Sequence, residues 1–169
     1  LAGAPTVPGA SITLVPSKTE SLPVLSRDLA AVGYSTAFYY GGELEFANLK
    51  SFVLHGRFGR ILGKDDFPAA ARTSKWGAHD AAVADRVFSD LGKAQQPFFV
   101  TWLTQSSHEP FDVPGPVRVA GVDGESRFLN SLAYTDHVIG ELLHRMEQEP
   151  WWENTLVVIV ADHSKKLER

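Results

Sequence analysis

Hydrophobic positions along the chain switch between two spacings, and that switching predicts the elements. Residues 1–19 carry Pro5, Pro8, Gly9 and Pro16 and are predicted to form a loop. A helix is predicted to start at Ser21-Leu22-Pro23, with Ser21 as its cap and Pro23 in its first turn. Val24, Leu25, Leu29 and Val32 then recur at helical spacing until Gly33. Residues 34–40 are short, aromatic and closed by Gly41-Gly42, the pattern of a strand running into a turn. Helical spacing resumes over 43–55 through Leu44, Leu49, Phe52 and Val53, and residues 58–62 predict a short strand. A loop is expected over 65–75, followed by a helix over 78–91 with Val83, Val87, Phe88 and Leu91 on one face.

Two stretches are apolar almost throughout: PFFVTWL over 97–103 and TLVVIVA over 155–161. Such runs predict strands covered on both faces. Between them, residues 106–124 hold Pro110, Pro114 and Pro116 and predict a long loop, of a length that usually binds or gates something. A long amphipathic helix is predicted over 125–149. Strands alternating with helices imply an α/β fold, a parallel sheet with helices on both faces.

Composition narrows the function classes. The 169 residues are 44% hydrophobic and 21% charged, as in ordinary globular proteins with a real core. A net charge of -4, with scattered Lys and Arg, gives no basic stripe and no nucleic-acid partner. Cys is absent, which excludes disulfides, thiolate metal sites and a Cys nucleophile within this segment. No run of apolar residues is long enough to span a bilayer, so any membrane anchor is expected outside these residues. Neither end reads as a natural boundary, and the chain is expected to be part of a larger domain.

Candidate chemistry lies where strands should end. Asp162-His163 follows the run VVIVA, and ligands of open α/β sheets bind beyond the carboxyl ends of strands. A carboxylate beside an imidazole suits Zn²⁺ or Mn²⁺, although two donors do not complete a site. The alternative is that Asp162 caps a following element. His108 follows the other buried run within SSHEPF and can bond a phosphate or sulfate oxygen, shuttle a proton, or bond the loop backbone. Tyr40-Gly41-Gly42 permits close approach to a ligand, with core packing of the aromatics as the alternative. Trp76-Gly77-Ala78-His79-Asp80 is a further candidate, unless His79 and Asp80 simply occupy the first turn of a helix. There is no Gly-x-Ser-x-Gly elbow, phosphate loop or dinucleotide fingerprint.

Taken in order, GYSTAFYYGG, FANLKSF, SKWGAHD, PFFVTWLTQSSHEPF, YTDHVIGELL and NTLVVIVADH resemble the sulfatase-like domain of lipoteichoic acid synthases and phosphoglycerol transferases. The resemblance covers roughly residues 20–163. It implies an alkaline phosphatase/sulfatase-like α/β fold with a largely parallel central sheet, present here as the C-terminal part of the domain. It also implies a divalent metal, Mn²⁺ before Zn²⁺, Mg²⁺ or Ca²⁺, held in part by Asp162 and His163. His108, Tyr40, Gly41 and Trp76 become candidate contacts to substrate. The implied reaction passes a phosphoglycerol group from a lipid donor to a lipid or glycan acceptor through a Thr nucleophile, at the extracytoplasmic face of a bacterial membrane. The family's Glu ligand and Thr nucleophile are expected upstream, and Thr6, Thr13 and Thr19 lack their context. These residues alone are therefore expected to be inactive. Where the synthases carry His, Trp and Arg to grip phosphoglycerol, this chain has Tyr40, Ala47 and Leu49. A sulfatase or phosphomonoesterase on the same fold, or a non-catalytic relative, are the alternatives.

Overall fold

A computed structural model describes residues 1–3 and 15–162. They fall into two compact units, Leu1–Gln105 and Ser106–Arg169.

The first unit is built on three parallel strands, β1 (Ser35–Tyr40), β2 (Arg60–Leu62) and β3 (Phe98–Leu103), in the order β2-β1-β3. Ala37 pairs with Arg60 on one side of β1, and Ser35 to Tyr40 pair in step with Phe98 to Leu103 on the other. The strands run the same way, so Tyr40, Leu62 and Leu103 finish along one edge of the sheet. Side chains alternate across a strand, so β1 presents Phe38 to one face and Tyr39 to the other. On the Phe38 face a helix, α3 (Leu49–His55), brings Val53 against Phe38 and Phe58, all buried. The Phe38 and Phe58 rings lie 5.5 Å apart, and each such burial contributes roughly 1.5–3 kcal/mol. On the opposite face Tyr39 donates to Asp90 Oδ2 at 3.0 Å, reaching the helix α4 (Asp80–Leu91), whose Val83, Val87 and Leu91 are buried. Asp90 also meets Arg60 at 3.0 Å and Arg86 at 2.9 Å, so one carboxylate ties β1, β2 and α4 together. Burial and this hydrogen bond, in that order, hold the Tyr39 phenol far above its ordinary pKa.

Two expectations at the start of the chain are corrected. Residues 16–21 form a helix, α1 (Pro16–Ser21), where a loop was expected, because Pro16 occupies the first helical turn and its missing N–H costs nothing there. The next helix, α2 (Leu25–Ala31), begins after Pro23 rather than at Ser21, with Val24 at its cap. The loop expected over 65–75 holds two short 3-10 turns, and the helix expected over 43–55 is a 3-10 turn at Phe46–Asn48 leading into α3.

The second unit centres on one long helix, α5 (Gly124–Met146). Asp123 caps it by accepting from the Ser126 N–H at 2.9 Å, and Ser131, Thr135, Val138, Leu142 and Met146 form its buried stripe. The preceding loop is tied to this helix by Asn130, whose amide oxygen accepts from Arg118 and Val119 and whose amide nitrogen donates to Val119 and Ser126.

The strand expected over 155–161 is not formed. These residues take no regular structure, and Leu156 is 86%, Val158 70%, Ile159 67% and Val160 79% exposed. A run apolar on both sides needs neighbours on both edges and faces, and among the described residues no strand pairs with it.

Candidate functional site at the carboxyl edge of the sheet

The carboxyl edge of the first unit gathers three of the residues singled out from the sequence. Tyr40 ends β1, and Gly41 and Gly42 turn the chain beneath neighbouring segments. The Gly41 carbonyl accepts from Ala78 N at 2.9 Å and the Gly42 carbonyl from Lys64 N at 2.8 Å. Gly77 lies so close that a Cβ on it would sit 2.2 Å from the Gly41 carbonyl oxygen, and its φ of +142° is one that glycine adopts without strain. Ser74 shapes this approach, accepting from Trp76 N at 3.2 Å and Gly77 N at 3.0 Å. Trp76 is thereby carried to the same corner, its ring 5.9 Å from Phe46, with Lys75 Nζ 4.9 Å from the ring centroid. Phe46 is 56% exposed, so this aromatic corner meets solvent.

Two further residues contribute, of which Asp80 was a candidate and Gln105 was not foreseen. Gln105, just past β3, donates its backbone N–H to Asp80 Oδ1 at 2.9 Å and its side-chain amide to the Ala78 carbonyl. Asp80 is fully buried in the first turn of α4, where a negative charge is favoured, so its helix-start role and its place at the site coincide. Strand-end position marked Gln105, but an amide side chain carries no motif. The Tyr40 phenol is raised above its ordinary pKa by burial first, then by the charges of Asp80 and Glu43. It remains a protonated donor at neutral pH.

His108 and Asp162 belong to the second unit and are both exposed. His108 Nδ1 lies 3.1 Å from the Glu109 carbonyl, which can only accept. The proton is therefore assigned to Nδ1, leaving Nε2 as the basic nitrogen. The loop-backbone bond is thus present, and it fixes the tautomer. The His108 carbonyl accepts from Phe111 N at 2.9 Å, and Phe111 packs against Phe128 of α5 with centroids 5.4 Å apart. Asp162 follows the exposed 155–161 run, and His163 lies outside the described residues. Among the described residues no group of three or more His, Asp or Glu comes together, so they make no complete metal centre by themselves.

A family model described as Sulfatase matches residues 3–169. The chain belongs to the sulfatase family. Among curated relatives of this sulfatase-family chain, phosphoglycerol transferase I of Xanthomonas axonopodis pv. citri (strain 306) is 30% identical over 142 residues, covering 78% of this chain and 20% of that protein. The lipoteichoic acid synthase-like protein YvgJ of Bacillus subtilis (strain 168) is 26% identical, covering 81% of this chain and 23% of that protein. The chain thus spans about a fifth of the curated relatives it matches. Two solved structures show the same fold. An alkaline phosphatase superfamily protein from Vibrio parahaemolyticus aligns with a TM-score of 0.75 at 24% identity, over 89% of this chain and 38% of that one. Lipoteichoic acid synthase LtaP from Listeria monocytogenes aligns at 0.66 and 21% identity, over 75% of this chain and 33% of that one. The sulfatase-like α/β fold expected from the sequence is borne out.

Proposed function

We propose that the chain is the substrate-facing part of a phosphoryl-transfer enzyme of the phosphoglycerol transferase type, acting on a phosphoglycerol-bearing lipid or glycan. The observation that carries this reading is the gathering of Tyr40, Gly41 and Trp76 at the carboxyl edge of a parallel sheet. Ligands of such sheets enter at that edge. The names of the relatives supply the substrate class.

In this reading the Tyr40 hydroxyl donates to an oxygen of the substrate, and the Gly41-Gly42 turn lets the ligand approach the backbone. In the second unit, taken by itself, His108 is a candidate contact to a phosphate oxygen, with its ring set by the Nδ1 bond to the Glu109 carbonyl. Asp162 and His163 would supply two donors to a divalent metal, Mn²⁺ in the first instance, with the remaining donors coming from outside the described residues. Such a metal neutralises charge on phosphoryl oxygens and lowers the pKa of a bound nucleophile. The described residues do not complete that centre. The nucleophile is assigned to none of the residues described. Among those residues no helix is long and apolar enough to cross a membrane. A phosphoglycerol-bearing lipid or glycan substrate would place this chemistry at the extracytoplasmic face of a bacterial membrane.

Calorimetric titration of Mn²⁺ into the chain and into an Asp162→Ala/His163→Ala variant tests the metal assignment. Saturable binding by the first and none by the second is expected. Indistinguishable heats from the two proteins would remove the pair from the site.

A further inference from the structure

The segments that build the aromatic corner, residues 43–50 and 63–77, carry the cations Lys50, Lys64, Arg72 and Lys75. The first three are already matched by carboxylates. Lys50 Nζ lies 2.7 Å from Glu45 Oε1, Lys64 Nζ 2.7 Å from Glu43 Oε1, and Arg72 Nη1 3.0 Å from Asp65 Oδ1. The remaining acid, Asp66, accepts from the Gly63 N–H at 2.8 Å. Lys75 is exposed and forms no ion pair among the described residues; its contact is the face of Trp76, with Nζ 4.9 Å from the ring centroid.

A carboxylate and a ring face leave an ammonium in different states. A carboxylate at 2.7 Å offsets the charge and takes a proton as acceptor. A ring attracts the cation through its quadrupole and leaves the charge in place. An ammonium has three N–H donors, so those turned away from the ring stay open to an anion. The ring also restricts the long, mobile lysine stem, which lowers the entropy lost when an anion orders it.

The ring that holds Lys75 is itself placed by the fold. Ser74 Oγ accepts from Trp76 N at 3.2 Å, and the Phe46 ring lies 5.9 Å from that of Trp76. The next residue, Gly77, closes on the Gly41 carbonyl just past the end of β1. The unmatched positive charge therefore belongs to the carboxyl edge of the sheet, where ligands of parallel sheets bind. The Tyr40 phenol there can bond any oxygen, charged or not, whereas Lys75 favours an anionic one.

We propose that Lys75, held on the Trp76 ring, binds the phosphate of the group on which the enzyme acts and is a specificity-determining residue for anionic esters. The inference rests on the phosphoglycerol-type reading and adds the residue that supplies the charge.

The test titrates sn-glycerol 1-phosphate without metal into the ¹⁵N-labelled full chain, followed by NMR at low and high NaCl. Lys75→Met keeps most of the stem, removes the charge and should weaken binding about five- to tenfold. Lys75→Arg keeps both the charge and the ring contact and should stay within about twofold of wild type. Lys93→Met makes the same change in net charge between α4 and β3, before the amino end of that strand. It too should stay within about twofold, since distant exposed charges are screened. High salt should weaken the wild type clearly and Lys75→Met much less. Lys75 and Lys93 are exposed, so these variants keep the fold. Equal affinity of wild type and Lys75→Met, or an equal loss in Lys93→Met, would overturn the proposal and leave the phosphoglycerol-type reading standing. Absence of saturable binding to the folded wild type would overturn that reading and the proposal with it.

Discussion

Gly41→Ala is expected to be among the most damaging single-methyl additions in the chain. A Cβ at this position would stand 2.3 Å from the Ala78 carbonyl oxygen, 2.8 Å from Gln105 Nε2 and 3.0 Å from Val83 Cγ2. The first contact is with backbone, so the end of β1 and the start of α4 must part. Forcing a methyl into packed surroundings costs roughly 1–3 kcal/mol. Separation also weakens the 2.9 Å bond from Ala78 N to the Gly41 carbonyl, a further loss of roughly 0.5–1.5 kcal/mol. The expected destabilisation is roughly 2–4 kcal/mol, a large part of a domain stability of about 5–15 kcal/mol. Gly140→Ala is the matched control. It lies within α5 with nothing inside 4 Å of an added Cβ, and alanine there should stabilise by about 0.5–1 kcal/mol. Urea unfolding followed by tryptophan fluorescence reads both. A Gly41→Ala protein within about 0.5 kcal/mol of wild type would refute the close-approach argument, since that is the ordinary range of a surface change.

Other expectations follow from single contacts. Phe38→Ala removes a ring that is 2% exposed and packed on Phe58, and should lower stability by about 3–5 kcal/mol in the same urea assay. The Tyr39 pKa is raised in the folded state by burial and then by Asp90, so its contribution is full below the unfolded value of 10.0 and drains away as pH climbs beyond it. The urea midpoint should therefore fall above about pH 10, and fall less steeply in Tyr39→Phe, with a remainder from Tyr40. Ile159→Lys places a charge in the exposed run of Leu156 to Val160 and should reduce concentration-dependent association in sedimentation without lowering the unfolding midpoint. A midpoint that drops would show Ile159 to be packed in solution.

Much of the fold was legible because its signals are local. The aromatic run ending in two glycines became β1, and the helical spacing of Val83, Val87 and Leu91 became the buried face of α4. Tyr40, Gly41 and Trp76 were read as separate candidate contacts, and the corner that brings them together was not legible, because the close approach of Gly77 to Gly41 joins segments distant in sequence. Asp80 read as a helix-start residue and is one; its bond to Gln105 depends on β3 and α4 ending side by side. The TLVVIVA run shows the opposite failure. Its composition predicts a buried strand, but burial needs partners, and composition does not reveal whether a neighbouring strand is in place. The metal pair stays a proposal for a related reason, since Asp162 is exposed and His163 lies outside the described residues.

The central claim is that the corner formed by Tyr40, Gly41 and Trp76 takes a phosphoglycerol-type ligand, and titration of sn-glycerol 1-phosphate into the ¹⁵N-labelled chain tests it most directly. The account predicts saturable shifts of the Gly41, Gly42 and Gly77 amide signals and of the Trp76 indole signal, weakened in Trp76→Ala. Absence of saturable shifts at this corner, or shifts identical in the wild type and Trp76→Ala, would contradict it.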